Sequence, residues 1–75
     1  MYKTTATVEG MMCNMCEAHV QEAVRNAFDG AKKVSADHKK NQLTFLTKEA
    51  PDAETLKKVI TDTGYTFGGA QTVED

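Results

Sequence analysis

The sequence predicts an α+β domain with elements in the order βαββαβ, in which two helices cover one face of a four-stranded antiparallel sheet. Three observations favour this class. Four segments alternate in the manner of strands, and two segments between them carry apolar residues at helical spacing. The 75 residues, 40% of them hydrophobic and 27% charged, suit a single small domain covering residues 1–75.

The first half of the chain predicts a strand followed by a helix. In residues 2–9, one face of the strand consists of Tyr2, Thr4, Ala6 and Val8. Residues 16–28 change to helical spacing, and their apolar stripe consists of Val20, Ala23, Val24, Ala27 and Phe28. Asp29-Gly30 then ends the helix with a turn.

Residues 31–47 predict a hairpin. Its polar turn is Lys39-Lys40-Asn41, and its inward side chains are Val34, Ala36, His38, Leu43 and Phe45. Each arm of the hairpin alternates with the period of a strand, so the segment supplies the second and third strands of the sheet.

The last third of the chain predicts a second helix and a short strand. Pro51 suits the first helical position, and Gly64 suits the left-handed residue after the last turn. The inner stripe consists of Leu56, Val59, Ile60 and Thr63. Tyr65 and Phe67 begin the final strand, which we expect to be short because Gly68-Gly69 weakens it, with residues 71–75 frayed.

This order is the split βαβ, or ferredoxin-like, arrangement. Neither helix can bury its apolar stripe alone, so we expect both to pack on the same face of the sheet and to leave the other face in water. The side chains predicted for that wet face are Lys3, Thr5, Thr7, Lys33, Ser35, Asp37 and Thr44. A core this small leaves little room for a large buried substrate pocket.

Charge and hydropathy argue against several functional classes. Nine basic and eleven acidic residues give a net charge of −2, whereas domains that bind nucleic acid usually carry a basic face. No apolar run approaches the roughly 20 residues of a membrane helix, so we expect no insertion into a membrane. The N-terminus lacks the apolar segment of a secretory signal, and we therefore expect a cytoplasmic protein.

The two cysteines, Cys13 and Cys16, lie where the first strand passes into the first helix. Two thiolates at this spacing can bind one soft ion from opposite sides, which favours Cu(I), with Ag(I) and Hg(II) as chemical mimics. Zn(II) prefers four ligands and would need further ones. A redox pair stays open as an alternative at this point, because a CxxC pair alone does not distinguish these uses.

The segment Gly10-Met11-Met12-Cys13-Asn14-Met15-Cys16 matches the GMxCxxC motif of heavy-metal-associated domains. Further matching segments are Glu17-Ala18-His19-Val20-Gln21-Glu22-Ala23-Val24, Phe28-Asp29-Gly30, Val34-Ser35-Ala36-Asp37-His38 and Thr63-Gly64-Tyr65. The resemblance covers residues 3–70. Within the family, the sequence looks most like small bacterial copper chaperones and the N-terminal modules of copper-exporting P-type ATPases.

The resemblance implies a metallochaperone or metal-binding module, not an enzyme. In such a protein Cys13 and Cys16 bind one Cu(I) ion, and thiolate exchange passes the ion to a partner. The implied partners are a copper-transporting P-type ATPase or a copper-responsive regulator, which places the protein in ion transport and copper homeostasis. We expect a monomer without metal and allow for a metal-bridged dimer with it.

Three residues are predicted to support the site without being its main ligands. The resemblance makes Met11 an apolar plug beneath the loop. It makes Tyr65 a shield that keeps water from the ion and offers a hydroxyl hydrogen bond toward a cysteine sulfur. Met12 and Met15 are expected to be exposed, and Met12 is a candidate transient ligand.

Other uses of the same residues fit the sequence less well. A zinc-stapled domain would need His19 and His38 beside the two cysteines, and that spacing fits no compact zinc module. We expect His19 to face solvent and His38 to be a half-buried non-ligand. A thiol–disulfide oxidoreductase is disfavoured because the chain has no tryptophan and is short for a thioredoxin-like fold. Handling of Zn(II) or Hg(II) by the same fold remains the closer alternative.

Overall fold

The structure, a computed structural model, describes residues 1–12 and 14–74. The elements follow in the order β1 (Tyr2–Glu9), α1 (Asn14–Ala27), β2 (Lys32–Asp37), β3 (Gln42–Thr47), α2 (Ala53–Asp62) and β4 (Thr66–Glu74). The predicted α+β class and βαββαβ order are confirmed. Cys13 and Asp75 lie outside the described residues.

The four strands form one antiparallel sheet in the order β2-β3-β1-β4. In the middle of β1, Thr5 pairs with Thr44 of β3 on one side and with Gln71 of β4 on the other. This is the predicted ferredoxin-like arrangement. Because β1 is an inner strand, the loop that follows it leaves the middle of the sheet rather than an edge.

Both helices contribute to one core on one face of the sheet. Their fully buried side chains are Val20 and Val24 of α1 and Leu56 and Ile60 of α2. Among the residues that the structure describes, the buried hydrophobic core consists of Ala6, Val8, Met11, Val20, Val24, Ala36, Leu43, Phe45, Leu56 and Ile60. None of the seven polar side chains predicted for the opposite face is buried. The sheet therefore has one dry face and one wet face, as the alternation in the sequence indicates.

The last strand differs from the prediction. β4 runs from Thr66 to Glu74 and pairs with β1 as far as Tyr2, so the expectation of a short strand with a frayed end at residues 71–75 is wrong for residues 71–74. The two glycines adapt β4 to β1 instead of ending it. Gly69 has a φ of +116°, and the β1–β4 register shifts between Ala6 and Val8, so a bulge absorbs the irregularity and pairing continues beyond it.

The helix starts also differ in detail. α1 begins at Asn14, two residues earlier than predicted. The sequence predicts Pro51 at the first helical position of α2, but Asp52 is the N-cap and Pro51 precedes it. The reason is the Asp52 carboxylate, which accepts hydrogen bonds from the Glu54 backbone N–H at 3.3 Å and from the Thr55 hydroxyl at 3.0 Å. The predicted left-handed cap at Gly64 is confirmed by its φ of +94°.

Three connections meet at one end of the sheet. They are the β1–α1 loop, the β2–β3 turn and the α2–β4 turn. The β2–β3 turn is tied to β1 because the Val8 backbone N–H donates to the Asn41 carbonyl at 2.9 Å. This end of the sheet carries the cysteine motif.

None of the helices in the described ranges is long and apolar enough to cross a membrane.

Candidate metal centre

Cys16 is the third residue of α1, and its half-buried side chain packs against the core. The backbone N–H groups of a first helical turn have no carbonyl partner within the helix, and the helix dipole is positive there. Both effects stabilise a thiolate. Val20 lies one turn further along α1, on the same face of the helix as Cys16. Because Val20 is fully buried, this face is turned toward the core. Cys16 is therefore held by a packed helix rather than by a loose loop.

Cys13, the second predicted ligand, lies outside the described residues. Its flanking residues are described: the exposed Met12 precedes it, and Asn14 begins α1 immediately after it. The assignment of Cys13 and Cys16 as a ligand pair stays a prediction that rests on the motif and on the position of Cys16.

The three methionines of the motif, Met11, Met12 and Met15, fall into two groups. Met11 is 5% exposed and belongs to the core, where the resemblance places an apolar plug. Met12 and Met15 are 83% and 69% exposed, in keeping with the expectation for both. The action of Met11 beneath a bound ion and the transient ligand role of Met12 stay predictions. The motif thus presents two exposed thioether side chains, Met12 and Met15, while the buried Met11 holds it to the core.

Tyr65 stands beside the loop, as the fold predicts. It is half-buried against the core, and its backbone N–H donates to the Ile60 carbonyl at 3.4 Å. A Cβ at Gly10 would lie 3.4 Å from the Tyr65 Cδ1 atom, so the ring packs on the first residue after β1. Gly10 has a φ of +101°, which suits glycine at this point. The predicted shielding of an ion by Tyr65 is compatible with this position and stays a prediction.

Glu17 and His38 make a contact that the sequence did not reveal. The Glu17 Oε2 atom accepts a hydrogen bond from the His38 backbone N–H at 2.7 Å and lies 2.7 Å from His38 Nδ1. The two side chains are 18% and 24% exposed, respectively. The hydrogen bond from the His38 backbone, followed by that of the imidazole, holds the pKa of the Glu17 carboxyl below its usual range. The half-burial predicted for His38 is confirmed.

The histidines do not come together as a zinc staple would require. His19 is exposed on α1, as predicted. In residues 1–12 and 14–74, the potential ligand atoms that cluster within 4.8 Å belong to Glu17, Asp37 and His38, and His19 is not among them. The Asp37 carboxylate already accepts the backbone N–H groups of Lys39 at 2.9 Å and Lys40 at 3.3 Å. Its described contacts are those of a turn.

The chain belongs to the family of the heavy-metal-associated domain, whose sequence model matches residues 5–66. Curated relatives include a mercuric reductase of Bacillus cereus, 35% identical over 72 residues, and one of Staphylococcus aureus, 39% identical over 61 residues. These matches cover 96% and 81% of this chain, respectively. The chain spans only 11% of the length of either enzyme.

Solved structures with the same fold include a metallochaperone and a copper binding domain. One is a CopZ metallochaperone, with a TM-score of 0.74 and 27% identity over 87% of this chain and 97% of that one. Another is a copper binding domain from HMA7, a P-type ATPase, with a TM-score of 0.76 and 27% identity over 99% of this chain and 96% of that one. The fold and the family are those of metal-binding modules.

Proposed function

We propose that this domain binds one Cu(I) ion through Cys13 and Cys16 and transfers it by thiolate exchange to a partner that carries a similar cysteine pair. The observation that carries this proposal is the position of the cysteine motif, which joins the inner strand β1 to the first turn of α1. Membership of the heavy-metal-associated family and the likeness to a CopZ metallochaperone support it.

The chemistry of the donors favours a soft ion. Two thiolates satisfy Cu(I), which tolerates two ligands, whereas Zn(II) takes four in structural sites. Ag(I) fits the same donors. An ion held by two thiolates at an exposed loop can accept a third sulfur before it loses one of its own, so transfer does not require release into water.

The environment of Met12 and Met15 suits such a transfer. Both side chains are exposed and apolar, and both belong to the motif, on either side of Cys13 in the sequence. A partner loop that covers them excludes water from the ion while the sulfurs exchange. We propose a copper-transporting P-type ATPase or a copper-responsive regulator as the receiving partner, and the cytoplasm as the compartment. The likeness to the copper binding domain of a P-type ATPase supports this class of partner.

Hg(II) is the second candidate cargo. The specific observation in its favour is the 35% and 39% identity to two mercuric reductases, which exceeds the 27% identity to the CopZ metallochaperone and to the HMA7 domain. Two thiolates also suit Hg(II), which is soft and forms linear complexes. In this alternative the domain captures Hg(II) and delivers it to another cysteine pair by the same exchange.

Metal competition distinguishes these cargoes. The protein is purified anaerobically under reducing conditions, and its bound metals are measured. Cu(I) and Zn(II) are then titrated against calibrated chelators, and Hg(II) against a small dithiol. The proposal expects one Cu(I) per chain, held far more tightly than Zn(II), and rapid transfer of copper to a second domain with a CxxC loop.

Two controls make the assay specific. Cys13→Ser and Cys16→Ser should each lose most of the Cu(I) affinity, whereas Met15→Leu keeps an apolar side chain at a neighbouring exposed position and should bind as the wild type does. Tight Cu(I) binding by the double serine variant contradicts the ligand assignment. Hg(II) transfer that is fast while Cu(I) transfer is slow favours the second cargo. A reduction potential far more oxidising than that of glutathione favours a redox role.

A further inference from the structure

We propose that the Glu17–His38 contact positions Cys16 and slows the loss of the bound ion; this inference rests on the proposed function. Glu17 directly follows Cys16 in the first turn of α1. Its carboxylate is held by a residue 21 positions away, at the start of the β2–β3 turn. The first turn of the helix is thereby fastened to a separate part of the fold.

The β2–β3 turn is itself well fixed. The Asp37 carboxylate accepts the backbone N–H groups of Lys39 and Lys40, which closes the turn on itself. The Asn41 carbonyl accepts the Val8 backbone N–H at 2.9 Å, which joins the turn to β1. Glu17 is therefore held by a turn that is itself fixed by hydrogen bonds.

These hydrogen bonds enclose the cysteine motif between two fixed points. Val8 marks the point where β1 is tied to the turn, and Glu17 marks the point where α1 is tied to the same turn. Both cysteines lie in the eight residues between them. The turn thus sets the span across which two thiolates must reach one ion, although none of its residues is required as a ligand.

This bracing affects the step in which the ion leaves. An incoming thiol loses its proton to solvent, and its thiolate forms a bond to the ion. The bond from the ion to Cys16 then breaks, and Cys16 remains as a thiolate, so the charge of the ion does not change. Helix ends fray readily. A first turn free to fray moves Cys16 away from the ion, and the Glu17 carboxylate opposes that movement.

Substitutions at both ends of the contact test the inference. Glu17→Ala removes both interactions of the carboxylate, and copper should pass to a chelator roughly threefold to tenfold faster. Glu17→Gln keeps an oxygen that accepts the His38 backbone N–H, so it should accelerate copper transfer less than Glu17→Ala does. His38→Ala keeps the backbone N–H and removes only the ring, so its effect should be smaller than that of Glu17→Ala.

Two control variants separate positioning from charge and from global stability. Glu22→Ala removes an exposed acid from the same helix. Thr72→Ala removes the 3.0 Å hydrogen bond to Thr4 between β1 and β4, far from the loop. Thermal unfolding of the metal-free proteins is measured beside the rate of copper transfer to a chelator. Neither control should change the transfer rate.

The outcomes separate this inference from the proposed function. Faster transfer in Glu17→Ala, with partial rescue by Glu17→Gln and unchanged controls, supports the positioning role. Equal acceleration in Thr72→Ala, or wild-type rates in Glu17→Ala, overturns it while the copper function stands. If the wild-type protein fails to bind Cu(I), the proposed function fails and this inference fails with it.

Discussion

Gly68 of β4 lies so close to Thr7 of β1 that a Cβ at Gly68 would come within 2.9 Å of the Thr7 Cγ2 atom. Real Cβ atoms do not approach other atoms this closely. The glycine is therefore the residue that lets β4 lie against β1 at this point, next to the register shift between Ala6 and Val8.

Gly68→Ala should lower the free energy of unfolding by about 1–3 kcal/mol, because the added methyl group must displace Thr7 or the strand. Chemical denaturation of the metal-free protein measures the change. Thr7→Ala in the same chain removes the nearest atom and should recover part of the loss, so the double-mutant cycle should show coupling. Additive effects of the two substitutions would mean that the close approach does not exist.

Replacing either cysteine should separate metal binding from folding. Cys16 is only half-buried, so Cys16→Ser should change the free energy of unfolding by less than about 1 kcal/mol while it abolishes tight Cu(I) binding. Circular dichroism melting measures the change in stability, and chelator competition on the same samples measures the Cu(I) affinity. A large loss of stability without loss of copper would assign Cys16 to the core alone.

Tyr65 should protect the ion from water and chelators. Tyr65→Ala should raise the rate of copper loss roughly tenfold, the scale seen when groups that orient metal ligands are removed. Tyr65→Phe is the matched variant, because it keeps the ring against Gly10 and removes the hydroxyl. Faster loss in Tyr65→Ala alone identifies the ring as the shield, and equal effects in both identify the hydroxyl. Unfolding that changes without any change in copper release makes Tyr65 a packing residue only.

The metal-free protein should sediment as a monomer. The exposed Met12 and Met15 form a small apolar surface, well below the roughly 1,000 Å² that a stable interface needs. One equivalent of Cu(I), at low concentrations of added thiol, should produce some dimer through the four cysteines of two chains. Cys16→Ser should suppress that dimer. A strong dimer without metal would point to storage or sensing rather than transfer.

The fold followed from the sequence where the determinants are local. The alternation in β1 and the helical stripe that includes Val20 and Val24 each specify one element and its buried face. The position of Cys16 near a helix start likewise followed from the change from strand spacing in residues 2–9 to helix spacing in residues 16–28. Met11 and Met12 differ in burial as expected, although both are methionines next to each other in the chain.

The errors arose where the outcome depends on a distant partner. Gly68 and Gly69 are strand breakers by propensity, yet β4 continues because β1 offers its full length for pairing. The start of α2 is a local exception: Pro51 is acceptable at a first helical position, but the carboxylate of the next residue, Asp52, caps the helix. The Glu17–His38 contact joins residues 21 positions apart on a helix and a turn, and no periodicity in the sequence links them.

Tyr2 pairs with Glu74, so the first and last strands bring the two ends of the domain side by side. Glu9, from which the cysteine loop departs, lies at the other end of β1, roughly 23 Å away at the usual rise of a strand. Linkers attached at residues 2 and 74 would emerge together from the pole remote from the cysteines. A domain tethered in this way would hold its cysteines on the side facing away from the tether. The tether would also raise the effective concentration of the bound ion near any partner on the same chain.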